Sequence, residues 1–124
     1  MKATDLMIGD WVKTGHLDYN KVQEIARDNS MQWYISFACS ATLFRAYEFE
    51  PIPLTPEILE KNGWNHSNRL MITRIDDNDF YWSEELGGIL YKNQYNMCNC
   101  KYVHNLQHAL RLCGFDEIAD NFKI

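Results

Sequence analysis

The sequence has little of what marks membrane, secreted or nucleic-acid-binding proteins. No apolar run approaches the ~20 residues that a membrane-spanning helix needs, and no signal-peptide pattern follows Met1. Its 12 Lys and Arg residues are scattered, and 17 Asp and Glu residues outnumber them, for a net charge of −5. Because phosphate contacts require clustered basic residues, a nucleic-acid partner is disfavoured. We therefore expect a cytoplasmic protein without a membrane partner.

Proline, glycine and cysteine are also scarce, with 3, 6 and 4 residues respectively. A chain of 124 residues does not need disulfides to fold, so we expect the cysteines to be reduced thiols. No glycine-rich phosphate loop and no serine within a glycine-rich elbow occurs. The sequence thus offers no cofactor site and leans away from an enzyme without deciding the question.

Apolar residues make up 46% of the chain and aromatic residues 14%, which is enough for a core. We predict one α+β domain over residues 1–124, with an SH3-like or barrel-like antiparallel part over 1–54. A short middle helix, a β meander and a terminal helix follow over 55–124. The alternation of apolar residues predicts strands over residues 8–13, 21–25, 33–39, 47–50, 69–75, 79–83 and 89–91.

Two segments carry helix signals. In the first, Thr55 can cap the helix, Pro56 suits its first turn and Gly63 can end it. In the second, residues 102–114, apolar side chains recur at helical spacing along one side. The second helix is therefore predicted to be amphipathic and to pack on the sheet, and a possible last turn follows over 116–122.

Residues 8–12 and 21–25, read together, resemble the first hairpin of SH3-like barrels. Residues 6–12, 50–63 and 102–114 (the last reading YVHNLQHALRLCG) together resemble a family of short uncharacterised proteins of gut anaerobes and their phages. That family commonly has Glu at the position of Asn105. The resemblance implies this architecture and no established activity.

The terminal helix places His104 and His108 four residues apart, which is the spacing of a zinc-binding helix. A zinc hydrolase also needs a glutamate next to the first histidine, and Asn105 stands there and cannot act as a base. His104, His108 and Arg111 project from the side opposite the apolar one. We therefore expect these three residues to form a polar face that meets solvent or a partner.

The alternative is a zinc site that uses His104 and His108 together with Cys98 and Cys100. Structural zinc sites usually have two to four residues between paired cysteines and redox motifs have two, whereas only Asn99 lies between Cys98 and Cys100. This alternative predicts close to one bound zinc in untagged protein and its loss on His108→Ala. The spacing alone favours the polar face over the metal site.

Three consecutive aromatic residues, Phe80, Tyr81 and Trp82, lie in one predicted strand between acidic residues. Because side chains of a strand alternate between its faces, at least one of them must point to the outer face. That aromatic face is a candidate contact patch for a protein partner, unless both faces of the strand are covered.

These observations predict a non-enzymatic cytoplasmic interaction or accessory module, of phage or mobile-element origin, whose partner is another protein. The predicted contact residues are Phe80, Tyr81, Trp82, His104, His108 and Arg111.

Overall fold

The computed structural model describes residues 5–14, 18–27, 33–37, 40–45 and 49–124. It confirms the α+β class, with two five-stranded antiparallel sheets and short helices. No helix in the described part of the chain is long and apolar enough to cross a bilayer.

The first sheet has the strand order β4-β3-β2-β1-β5. The long β2 pairs with β1 through its first half and with β3 through its second half, and its register shifts between Val22 and Glu24. This arrangement agrees with the predicted barrel-like part. Val12, Val22 and Ile35 are buried in it. Its strands are β1 (Trp11–Thr14), β2 (Asp18–Arg27), β3 (Trp33–Phe37), β4 (Ser40–Arg45) and β5 (Phe49–Pro51).

The second sheet is a meander with the strand order β10-β9-β8-β7-β6. Asp76 and Asp77 turn its central hairpin with φ angles of 47° and 66°, the left-handed conformation that two-residue hairpin loops require. This acidic segment is therefore the turn between the strands predicted over 69–75 and 79–83. The strands are β6 (Asn65–Ser67), β7 (Leu70–Ile75), β8 (Asn78–Ser83), β9 (Ile89–Lys92) and β10 (Tyr95–Asn99).

The described residues also form three helices. In α1 (Pro56–Lys61), the Thr55 hydroxyl accepts a hydrogen bond from the Ile58 amide, which confirms the predicted cap. The helices α2 (Val103–Leu112) and α3 (Asp116–Asp120) confirm the predicted terminal helix and last turn. Val103, Leu106, Ala109 and Leu110 of α2 are buried in the main core, which also contains Phe80, Trp82 and Leu90 of the second sheet.

Three strands had no signal in the sequence: β4, β6 and β10. The side chains of β6 are all exposed, and β10 is an edge strand with polar residues, so neither shows apolar alternation. The strand predicted over 47–50 is β5, two residues later; residues 47 and 48 lie outside the described residues, as does Cys39 at the end of the predicted 33–39 strand.

A short backbone ladder joins the two sheets and sets the start of α2. The Leu54 amide donates to the Lys101 carbonyl at 2.9 Å, and the Val103 amide donates to the Ile52 carbonyl at 2.8 Å. The chain that leaves the first sheet therefore runs antiparallel to the chain that enters α2. This pairing brings α2 beside the N-terminal segment, where the candidate site lies.

Candidate functional site

The site is built where the N-terminal segment meets α2, and Gln107 holds these elements together. Its side chain is fully buried at the face of α2 towards β1. The Gln107 amide oxygen accepts from the Trp11 backbone at 3.0 Å, and its amide nitrogen donates to the carbonyls of Gly9 at 2.9 Å and Ala119 at 3.0 Å. One side chain thus fixes β1 and α3 against α2.

Asp10 is the centre of the site and is fully buried. Its Oδ1 accepts from Nη1 of Arg111 at 2.6 Å, and its Oδ2 accepts from the Met7 amide at 2.8 Å and lies 2.6 Å from Nε2 of His108. Because an ionised carboxylate only accepts hydrogen bonds, His108 carries a proton on Nε2. Asp10 therefore holds both an imidazole and a guanidinium in place.

Arg111 extends this arrangement to α3, because its Nη2 donates to Oδ1 of Asp120 at 3.2 Å. The pair lies directly against Gly9, whose φ is 92°. A Cβ at Gly9 would come within 2.8 Å of Asp120 Oδ1 and 2.9 Å of Arg111 Nη2, so a larger residue would displace the pair. We call Asp10, Gln107, His108, Arg111 and Asp120 the polar seam.

His104 lies one turn before His108, and the two rings meet edge to face with centroids 5.5 Å apart. Only 6% of His104 is exposed, and Tyr102 stacks on its other side at 5.9 Å. Burial lowers the pKa of His104; the charge of Asp10 opposes this and that of His108 reinforces it. His104 is therefore disposed to be neutral.

The hydrogen bonds of Asn105 decide which nitrogen of His104 carries the proton. The Asn105 side-chain oxygen accepts from the Tyr102 amide at 3.1 Å, which leaves its NH₂ group 3.4 Å from Nε2 of His104. A neutral His104 that accepts there has its proton on Nδ1. That nitrogen is buried and has no hydrogen-bond partner among the described residues. Such an unused donor costs about 1–3 kcal/mol.

A cleft of about 680 Å³ opens beside the two histidines. One wall comes from the N-terminal segment and contains Leu6 and Met7, and the other comes from the start of α2. Met7 is 43% exposed. The remaining described lining residues are Asp5, Pro51, Asn99, Lys101, Tyr102 and Asn105.

The predicted polar face of His104, His108 and Arg111, expected to meet solvent or a partner, is largely shielded from solvent, and its contact with a partner stays a prediction. His104 is buried, and the side chains of His108 and Arg111 are only 23% and 13% exposed. The reason is that α2 is covered on two sides, by the second sheet on its apolar side and by the N-terminal segment on its polar side. His104 and His108 nevertheless line the cleft, whereas Arg111 is held between two carboxylates.

The side chains of the three consecutive aromatic residues alternate between the two faces of the second sheet. Phe80 and Trp82 are fully buried or nearly so and belong to the main core. Tyr81 points to the other face, where it is partly exposed and lies in register between Ile72 and Tyr91. The predicted outward aromatic is therefore Tyr81, and Phe80 and Trp82 are not available to a partner.

The four side chains of the metal alternative are all described, and their surroundings differ. His108 contacts Asp10, and His104 contacts the side chain of Asn105. Cys100 is buried in the core, and its Sγ lies 3.5 Å from that of Cys98. Within the described residues, no group of three or more His, Cys, Asp or Glu side chains could hold a metal ion.

Sequence reasoning missed Asp10, Gln107 and Asp120. Gly9 and Asp10 lie near the start of the strand predicted over 8–13. A single buried carboxylate next to a glycine produces no periodic pattern that would identify it. The histidines and the arginine of α2 gave no signal by themselves, because water at a surface would satisfy their donors equally well.

No protein-family model, curated protein or solved structure matches the chain. The resemblance to the proteins of gut anaerobes and their phages therefore stays a prediction.

Proposed function

We propose that this chain is a non-enzymatic cytoplasmic interaction module that holds a loop or terminus of another protein in the cleft beside α2. The observation that carries the proposal is the cleft itself, which combines exposed apolar side chains with hydrogen-bonding groups on a rigid floor. Binding sites typically have this composition, with polar groups that fix orientation and apolar groups that supply affinity. Phage or mobile-element origin belongs to the proposal only through the resemblance.

The floor of the cleft is rigid because other side chains hold its two histidines in place. Asp10 and Arg111 fix the imidazole of His108, and Tyr102 and Asn105 fix that of His104. A preorganised surface loses little conformational entropy when a partner binds. Met7 and Tyr102, at 43% and 36% exposure, are the apolar groups that a partner would cover.

The carboxylate–imidazole pair of Asp10 and His108 would also suit a general base. The described lining of the cleft, however, offers that imidazole no serine, threonine or cysteine to activate. This composition supports binding over nucleophilic catalysis.

The row of Ile72, Tyr81 and Tyr91 provides a second contact surface for the same function. These residues lie directly opposite one another on three neighbouring strands, on the face away from the main core. Aromatic residues such as Tyr are enriched at protein interfaces relative to the rest of the surface.

Quantitative affinity capture from lysate of the native host tests the proposal. We compare the wild-type chain with Tyr102→Ala, and use Tyr95→Ala as the matched control because Tyr95 is 78% exposed and lies outside the cleft lining. A partner held in the cleft is retained by Tyr95→Ala and lost with Tyr102→Ala, since truncation of an aromatic anchor costs about 2 kcal/mol, roughly thirtyfold in affinity. Equal retention of the partner by both variants would contradict binding in the cleft.

Metal analysis of the untagged protein separates the interaction module from the zinc alternative. The proposal predicts less than about a tenth of a zinc ion per chain. Close to one zinc per chain that is lost on His108→Ala would instead make the histidines ligands and overturn it.

A further inference from the structure

Cys98 and Cys100 form a pair of thiols that the interaction function does not use. Cys98 lies in β10 and Cys100 directly follows its last residue, Asn99. In an extended chain, side chains two residues apart lie on the same side. Their sulfur atoms are 3.5 Å apart. The pair lies outside the described cleft lining.

The two thiols differ in accessibility. Cys100 is fully buried in the main core, and Cys98 is only partly buried. Among the described strands, β10 lies at the edge of the second sheet and pairs with β9 alone, so no described strand covers its outer edge. A reagent from solvent therefore reaches Cys98 before Cys100.

The backbone of Cys100 is fixed on two sides. Its amide donates to the Gly88 carbonyl at 2.7 Å, and its carbonyl accepts from the Trp82 indole at 2.9 Å. A Cβ at Gly88 would come within 2.9 Å of that same carbonyl oxygen, so the packing is close. The register of β10 against β9 shifts between Asn96 and Cys98, so the irregularity lies directly before Cys98.

We propose that Cys98 and Cys100 are a dithiol site that exchanges reversibly with low-molecular-weight disulfides, with Cys98 as the attacking thiol and Cys100 as the resolving thiol.

The hydrogen bond between the thiols supports these roles. Donation from Cys100 lowers the pKa of Cys98 to about 7, against the opposing effect of partial burial. The same bond, with burial and the nearby charge of Cys98, raises the pKa of Cys100. Because the thiolate is the nucleophile, Cys98 is the more reactive of the two near neutral pH.

The exchange balances in two steps. The Cys98 thiolate attacks one sulfur of the small disulfide, a Cys98–S bond forms, the original S–S bond breaks, and the released thiolate takes up a proton. Cys100 then gives up its proton and attacks Cys98 Sγ, which closes the internal disulfide and releases the second small thiol. The two protein thiols lose two electrons and two protons, and the small disulfide gains them.

The internal disulfide is expected to reopen readily. In a strand, Cα atoms two residues apart are separated by about 6.6 Å, near the upper end of the range for disulfides. Strained disulfides are reduced more easily than relaxed ones. The site therefore follows the thiol–disulfide balance around it and is not a permanent cross-link.

The test is peptide mapping of the full chain after equilibration with oxidised and reduced glutathione. Trypsin cuts after Lys92 and Lys101, so one peptide carries both thiols, while Cys39 and Cys113 fall in others. That peptide is expected to lose two hydrogen atoms in oxidising buffer and regain them when glutathione is reduced. Cys100→Ser is expected to trap glutathione on Cys98, and Cys98→Ser to leave Cys100 unmodified.

Cys113→Ser is the control, because Cys113 is partly buried beside Met97 and is expected to leave the oxidation of the pair unchanged. A pair that stays reduced in oxidising buffer, or a wild-type chain that keeps glutathione on Cys98, would overturn the proposal.

Alkylation of Cys98 at varied pH gives a second readout on the folded chain. Its rate should reach half-maximum near pH 7 in the wild type. The midpoint should move up in Cys100→Ala, which removes the thiol that donates to Cys98, if that variant folds. A wild-type midpoint at the ordinary thiol value of about 8.5 would refute the assigned roles.

Discussion

The two sides of α2 are held by opposite kinds of interaction. On one side, Leu106 and Leu110 pack with Phe80 and Trp82 in an apolar core that orders the second sheet. On the other, the polar seam binds the N-terminal segment through a buried carboxylate and a buried amide. One helix therefore joins an apolar contact and a polar contact.

The difference between these contacts lies in their tolerance of change. Apolar packing is non-directional, so a core accepts substitutions of similar size and shape. Buried polar groups must keep their partners, because an unpaired one costs its full desolvation energy. We infer that the core supplies most of the stability, whereas the polar seam fixes how the N-terminal segment lies and so shapes the cleft.

Among these tests, truncation of Trp82 on the apolar side is expected to lower the free energy of unfolding most. Trp82→Ala should lower the free energy of unfolding by about 3–5 kcal/mol, because it leaves a cavity in the main core. It also leaves the Cys100 carbonyl without its indole donor. Chemical denaturation of the purified variant measures the loss.

Tyr81→Ala is the matched control, because Tyr81 is the preceding residue and lies on the opposite face of the same strand. Loss of its cross-strand contacts should cost about 1 kcal/mol or less. Equal losses in the two variants would mean that the two faces of β8 contribute alike, contrary to the structure.

Asp10→Asn tests the polar seam and should have the next largest effect. It removes the charge that Arg111 and His108 share, at a carboxylate with no exposed surface. We expect a loss of about 2–3 kcal/mol, below the 3–5 typical of a fully buried pair, because Arg111 keeps Asp120 and the side chains of Arg111 and His108 are partly exposed.

Asp77→Asn controls for the change of net charge, since the Asp77 side chain is 98% exposed in a turn. It should leave the unfolding midpoint unchanged. A double-mutant cycle between Asp10→Asn and His108→Gln should show coupling of about 0.5–3 kcal/mol. Additive effects would show that the two side chains do not interact.

The apolar side of α2 could be predicted from the sequence because its apolar residues recur at a regular spacing. Apolar residues at helical spacing identify its buried face, and the cap at Thr55 and the turn at Asp76 and Asp77 follow from local residue preferences. The edge strand β10 could not be predicted, because most of its side chains are exposed or polar and lack alternation.

The polar seam could not be predicted because its partners are distant in the sequence. Asp10 and His108 are 98 residues apart, and Asp10 and Arg111 are 101 apart. A single sequence contains no periodic signal that links one buried carboxylate to a particular helix face. The same residues therefore looked like a solvent-facing surface until the fold placed Asp10 opposite them.

The smallest expected effect on stability comes from His104, a polar side chain of α2 that is nevertheless buried. Burial lowers its pKa in the folded chain, while in the unfolded chain it returns to about 6.5. Between these values the unfolded state binds more protons, so stability is highest above about pH 6.5 and falls as the pH drops below it. Each pKa unit of lowering corresponds to about 1.4 kcal/mol.

Denaturant unfolding of wild type and His104→Gln at about pH 8 and about pH 5.5 isolates this contribution, because carboxylates that titrate in both proteins cancel in the comparison. His104→Gln should lose less stability on acidification than the wild type, whatever its stability at the higher pH. If His104→Gln retains the wild-type dependence, His104 binds protons alike in the folded and unfolded chain, and its burial in the wall of the cleft is wrong.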